Sequence, residues 1–124
     1  MKTSQEISKL NEKCSRLLEE EPELRFAGII NKLGHLDAGR FRDNIQHHIL
    51  DERTRMLYMQ MVLDFSMRTE FNDDLGPVKW SATRRGKVLM MTIPVEKDIL
   101  LLSAETQCQT GDLYRKAKNV FTEL

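Results

Sequence analysis

RTRMLYMQMVLDFSMRTEF, residues 53–71, reads as a helix whose apolar side chains are not confined to one face. At about 100° per residue, Gln60, Asp64 and Arg68 make a narrow polar stripe. Met56, Met59, Met61, Val62, Leu63, Phe65 and Met67 spread over most of the remaining circumference. A helix apolar over more than half its surface must be covered on two sides. In so small a chain one side is its own sheet, and the other is expected to be a second molecule. Methionine, flexible and polarizable, suits a surface that adapts to partners.

The flanking elements supply the sheet. Residues 4–20 form an opening helix, with Ile7, Leu10, Cys14, Leu17 and Leu18 at spacings of three and four, Ser4 as the expected N-cap, and Glu21-Pro22 as the stop. The run 25–31, centred on Phe26-Ala27-Gly28-Ile29-Ile30, lacks polar alternation and reads as a strand buried on both faces. It turns at Lys32-Leu33-Gly34 into a second strand, 35–41, and residues 42–52 make a polar connection to the apolar helix. After that helix, residues 72–77 are turn formers, and 78–83 alternate like a strand wet on one side. The strands 87–93 and 99–104 are almost continuously apolar and belong in the middle of the sheet, with Pro94 marking a strand end or bulge. A last helix spans 112–123, with Thr110 as its expected cap and Leu113, Ala117, Val120, Phe121 and Leu124 along one stripe. The order is α-β-β-α-β-β-β-α. Such a five-stranded sheet needs cover on both faces, with the crowded middle helix on one and the terminal helices on the other.

Composition sets the outer limits. The chain has 124 residues, 40% hydrophobic and 31% charged, which fits one globular domain over 1–124. Nineteen basic residues balance nineteen acidic ones, so no global field gathers nucleic acid or an anionic membrane. No apolar run is long enough to span a bilayer, the first ten residues lack a signal-peptide pattern, and the lone Cys14 and Cys108 fit a reducing cytosol. The expected setting is therefore cytoplasmic.

Few residues suggest chemistry. His35, His47 and His48 have no helical metal-ligand spacing and read as loop histidines. Lys79, Arg84, Arg85 and Lys87 concentrate positive charge around one hairpin, but only Trp80 could stack on a base, so nucleic-acid binding is disfavoured. The glycines form no phosphate-binding loop, and no pair of acids spans a pocket. Cys14 is expected in the core and Cys108 in an exposed loop, while Glu19-Glu20-Glu21 reads as a solvated helix end. No catalytic set, metal site or cofactor site is expected.

The pattern resembles the roadblock/LC7 family of the profilin-like group. The likeness is carried by the acidic opening helix ending at Glu19-Glu20-Glu21-Pro22, the Phe26–Ile30 strand turning at Gly34 into His35-Leu36, the apolar middle helix, and the 88–93 and 99–103 hairpin leading into a final helix. The segments 25–30 and 74–78 are also similar to a family of small uncharacterised archaeal proteins. The roadblock resemblance implies an α/β (α+β) three-layer sandwich and a non-enzymatic module that pairs by packing middle helices and joining sheet edges. It implies service as a scaffold or regulatory subunit, a small GTPase being one possible class of partner. Met56, Met59, Met61, Val62, Leu63 and Phe65 would form the helical half of a homodimer interface, and Val78, Trp80 and Ala82 the sheet edge, with Trp80 as anchor. The competing expectation is a small-ligand sensor, because such sandwiches are similar to PAS and GAF domains. It requires a polar pocket beside the sheet.

Overall fold

The computed structural model describes residues 1–49 and 51–122. Leu50 in the polar connection, and Glu123 and Leu124 at the end of the expected last helix, lie outside the described residues. The elements in chain order are α1 (Ser4–Glu20), β1 (Leu24–Ile30), β2 (Leu36–Phe41), α2 (Asp51–Thr69), α3 (Asn72–Leu75), β3 (Ser81–Arg84), β4 (Leu89–Val95), β5 (Asp98–Ala104) and α4 (Thr110–Val120). The sheet runs β2-β1-β5-β4-β3, and every neighbouring pair is antiparallel. This is the expected three-layer sandwich, with α3 added where only a turn was read.

The two faces of the sheet are covered unequally. On one face Ala27 and Ile29 of β1, Leu100, Leu102 and Ala104 of β5, and Leu89, Met91 and Ile93 of β4 pack with Cys14, Leu17 and Leu18 of α1 and Leu113, Ala117 and Val120 of α4. Strand periodicity sends the intervening residues to the other face. There Phe26, Ile30 and Leu101 form a smaller cluster with Tyr58 of α2, joined by Met61, Val62 and Met90.

Local chemistry fixes the element ends. The cap of α1 is Thr3, one residue before Ser4. Its hydroxyl accepts the Glu6 amide at 3.1 Å while the Glu6 carboxylate accepts the Thr3 amide at 3.1 Å, a reciprocal capping box. The last turn of α1 contains no basic residue, and Arg42 does that work from a distance. Its Nη2 donates to the carbonyls of Leu18 at 2.6 Å and Glu21 at 2.8 Å, and its Nε to Leu24 at 2.7 Å. Gln109, not Thr110, is the N-cap of α4, and its side chain makes no capping bond.

Strand β3 is shorter than its alternation suggested. Pairing with β4 starts at Ser81 opposite Thr92, so Val78, Lys79 and Trp80 lead in unpaired. Continued in register, Lys79 would face Pro94, which has no amide to offer. Pro94 itself lies inside β4, one residue from its end and opposite Ile99, where the β3 ladder has already stopped.

At the opposite edge β2 is pinned to its surroundings. The outward amide of Gly39 donates to Asn11 Oδ1 of α1 at 2.7 Å. Lys2 Nζ reaches both Asp37 and Asp98 at 2.6 Å, and Asn31 Nδ2 donates to the other Asp37 oxygen at 2.9 Å. Gly39 has φ +114°, and a Cβ there would sit 2.2 Å from the Ala27 carbonyl oxygen across the β1–β2 ladder. Gly39→Ala is therefore expected to lower unfolding free energy by about 3 kcal/mol. Urea denaturation checks this, and a wild-type midpoint would contradict the close approach.

Candidate interaction surface

Helix α2 rests on the sheet by a single arc. Tyr58 is its one buried residue among those described, with Leu57, Met61, Val62 and Phe65 half-buried beside it. These positions recur at three and four, as a sheet-facing stripe should. The row Met56, Met59, Leu63 and Met67 is exposed, at 68, 37, 56 and 69%, with the Gly34 turn lying against Met59. Past the helix end, Phe71 and Leu75 are exposed at 57 and 84%. Scattered exposed apolar residues need no explanation, but a continuous row along a helix marks a contact surface.

The residues expected at an interface thus divide. Met56, Met59 and Leu63 are on the open row, whereas Met61 and Val62 pack inward against the small cluster, and Phe65 is half-buried at the flank of the helix. Ala82 packs against the larger core on the far side of the sheet. Trp80 shares that side by alternation, and its ring lies 6.1 Å from that of Tyr114 on α4, with Lys118 Nζ 5.7 Å from the Tyr114 ring. Val78 is half-buried in the unpaired lead-in. The helix row and Trp80 therefore lie on opposite faces of the sheet. Sequence reasoning missed Leu57 and Tyr58 as the true anchors of α2, and Phe71 and Leu75 as exposed apolar residues. The i, i+4 placement of Phe71 after Met67 was a signal for the latter pair.

Open grooves of about 470 and 450 Å³ run between α2 and its surroundings, one toward the β3–β4 hairpin and one toward Ile30 and Ile99. A cavity of about 70 Å³ lies among Phe26, Phe41, His47, Tyr58 and Leu101. It has room for roughly two waters, against the ~300 Å³ or more of a ligand pocket. The Phe41 ring lies tilted against those of Phe26 and His47, with centroids 4.7 and 4.3 Å away, and lines one side of that space. His35 Nε2 accepts from Arg55 Nη2 at 2.6 Å. His48 lines an open groove between the start of α2 and the β3–β4 hairpin.

One side-chain cluster departs from its sequence reading. Glu21, expected as a solvated end, is buried, and so is Cys108, expected in an exposed loop. Their ligand atoms and that of Glu23 lie within 4.8 Å of one another. The donors nonetheless already have partners: Lys116 Nζ binds Glu21 Oε1 at 2.8 Å, the Glu23 amide donates to Glu21 Oε2 at 2.9 Å, and Gln107 reaches Glu23 at 3.3 Å. Burial pushes the Cys108 thiol up to about 11, with the Glu21 and Glu23 carboxylates adding to the effect. Burial alone pushes Cys14 up to about 12. Burial would also raise the Glu21 carboxyl, but the Lys116 ammonium and the Glu23 amide outweigh it and hold that group below its ordinary 4.5. A protonated thiol and a lysine-neutralised carboxylate make this a clamp joining the end of α1 to α4. They do not favour a cation.

Comparison with known proteins places this geometry. A sequence profile described as a family of unknown function (DUF6659) matches residues 3–123. No curated protein matches the chain in sequence. Among solved structures the chain is similar to the gliding protein MglB of Thermus thermophilus, at 12% identity and a TM-score of 0.80, covering 100% of this chain and 90% of that one. Myxococcus xanthus MglB is similar at 16% identity and 0.75, covering 99% and 90%. A roadblock/LC7 domain from Streptomyces avermitilis is similar at 12% and 0.70, covering 91% and 92%. At these identities the likeness shows the fold, which is that of roadblock/LC7 domains. No described helix is long and apolar enough to cross a membrane.

The clamp yields a pH-dependent test. The depressed Glu21 carboxyl contributes stability that is present above 4.5 and lost as pH falls through its lowered value. Lys116→Met should therefore cost about 2 kcal/mol at neutral pH, with the difference from wild type shrinking in acid below pH 4.5. Denaturant titration at both pH values measures it, and an equal cost at both would show that the ion pair is not its source.

Proposed function

Because this chain belongs to the DUF6659 family of unknown function, we propose from its fold and surface that it is a non-enzymatic, homodimeric protein–protein interaction module. The observation that carries the reading is the open row Met56, Met59, Leu63 and Met67 on a helix whose opposite side already rests on its own sheet. Two copies packing these rows against one another would bury apolar surface that a lone subunit leaves in water. Strand β3, at the sheet edge, includes Ala82 and is preceded by Val78, and would serve a separate edge-to-edge contact between copies. Trp80, on the far face, would serve the rim of that contact and not its centre.

The role that the roadblock fold supports for such a dimer is that of a scaffold or regulatory subunit, with a small GTPase as one class of partner to test. The sensor alternative is weaker, since the cavity among Phe26, Tyr58 and Leu101 holds about 70 Å³ with a mostly apolar lining, and the larger spaces along α2 are open grooves.

Sedimentation equilibrium tests the reading. Wild-type protein is expected to be a dimer at micromolar concentration. Met59→Glu with Leu63→Glu should raise the dissociation constant about 100-fold or more, because each carboxylate would be buried without a partner. A wild-type monomer at tens of micromolar (~10⁻⁵ M), or a double variant with unchanged mass, overturns it.

A further inference from the structure

We propose that the dimer is locked by charge: the acidic corner Phe71–Leu75 of each copy docks in the cationic groove beside Arg53, Arg85 and Lys87 of the other. This inference rests on the helix-face dimer proposed above and names the contacts at its two ends.

The groove has a volume of about 470 Å³ and lies between the start of α2 and the β3–β4 hairpin. Arg53, Arg85, Lys87 and His48 line it, Met56 and Val88 give it an apolar floor, and no aspartate or glutamate among the described residues does so. In a chain whose charges balance, that is a local excess of positive charge. An anionic segment with apolar anchors is its complement.

Such a segment exists in the same chain. Asp73 and Asp74 are exposed in α3, between the exposed Phe71 and Leu75. It cannot fill its own groove, because Phe71 follows Gln60, the last α2 residue of the groove, by roughly 17 Å of helix and follows Arg53 by roughly 27 Å. A second copy removes that obstacle. A two-fold axis across the open row, between Met59 and Leu63, sets α2 antiparallel to its mate and Met56 against the second copy's Met67. The same axis brings Arg53 opposite the second copy's Phe71. Arg53 at the outer end of the groove and Phe71 at the near end of the acidic corner lie 8 and 10 residues from that axis, on opposite sides of it. An isologous dimer therefore makes the contact twice.

A charge swap tests this with two variants of the full chain. One carries Asp73→Lys and Asp74→Lys, the other Arg85→Glu and Lys87→Glu. All four positions are exposed, and circular dichroism verifies folding. Each variant alone should dimerise about tenfold more weakly than wild type, since like charges then face each other at both ends. Mixed together, they should form a heterodimer in preference to either homodimer, because both junctions regain opposite charges. Native mass spectrometry distinguishes the three species by mass. The wild-type dimer should also weaken from low to high salt, a measurement that needs no variant.

A wild-type dimer insensitive to salt, with both variants pairing as well as wild type, would overturn the charged junction and leave the helix-face dimer standing. Weakened variants that fail to prefer each other would also overturn it, assigning the groove to an acidic segment of another protein. A wild-type monomer would remove the helix-face dimer and the junction together.

Discussion

Strands β1, β5 and β4 carry apolar side chains to both faces of the sheet, so neither face can be left to water. The rest of the molecule answers that demand. Two helices, α1 and α4, share one face and close over a broad core, while α2 has the other face to itself. The face under α2 is narrow, because Gly28, Ser103 and Thr92 share it by alternation with Phe26, Ile30, Leu101 and Met90. A Cβ on Gly28 would collide with Phe26 at 2.6 Å and Leu36 at 2.7 Å, so this face is held shallow where the Phe26 ring lies across it. One arc of α2 is enough to cover so narrow a strip. The remaining apolar circumference is surplus, and the exposed row on α2 is a direct result of the difference between the two faces.

Much of this architecture was legible in the chain itself. Almost continuously apolar runs at 26–30, 89–93 and 99–102, broken only by Thr92 and Gly28, mark strands with two buried faces, and alternation marks edges, because side-chain period is a local property. The excess of α2 was equally plain. Its orientation was not, since a helix apolar nearly all round gives no internal sign of which arc meets the sheet. Tyr58, Met61 and Val62 face inward because Phe26, Ile30 and Leu101 lie beneath them, a fact of tertiary placement. The face taken by Trp80 was hidden for a related reason: pairing of its strand starts one residue after it, and parity sends its ring to the α4 side.

The polar ties were the least readable. Arg42 sits in a segment that looked like a featureless connection, yet it closes the end of α1 and the start of β1 with three hydrogen bonds. Arg25 lies in an apolar strand and spans to Glu105 at 3.2 Å, with Gln46 O as a further acceptor. Lys116 reaches Glu21 across 95 residues of sequence. Buried charges and orphan carbonyls must find partners, but sequence spacing does not say which, because those partners are brought close only by the packed sheet. Cys108 illustrates the same limit. A cysteine in a polar loop looks exposed until Glu21, Glu23 and the end of β5 fold around it.

The pinning of β2 has a bearing on how far such a sheet can be extended. With the Gly39 amide already taken by Asn11 and Asp37 tethered by Lys2, that margin offers little to an incoming strand. Copies meeting at their β3 margins are brought to a terminus, for each then turns its sealed border outward. A subunit built in this way is suited to finite complexes and protected against open-ended fibre growth, and the protection comes from one asparagine on a helix together with a lysine that ties down the strand's own aspartate.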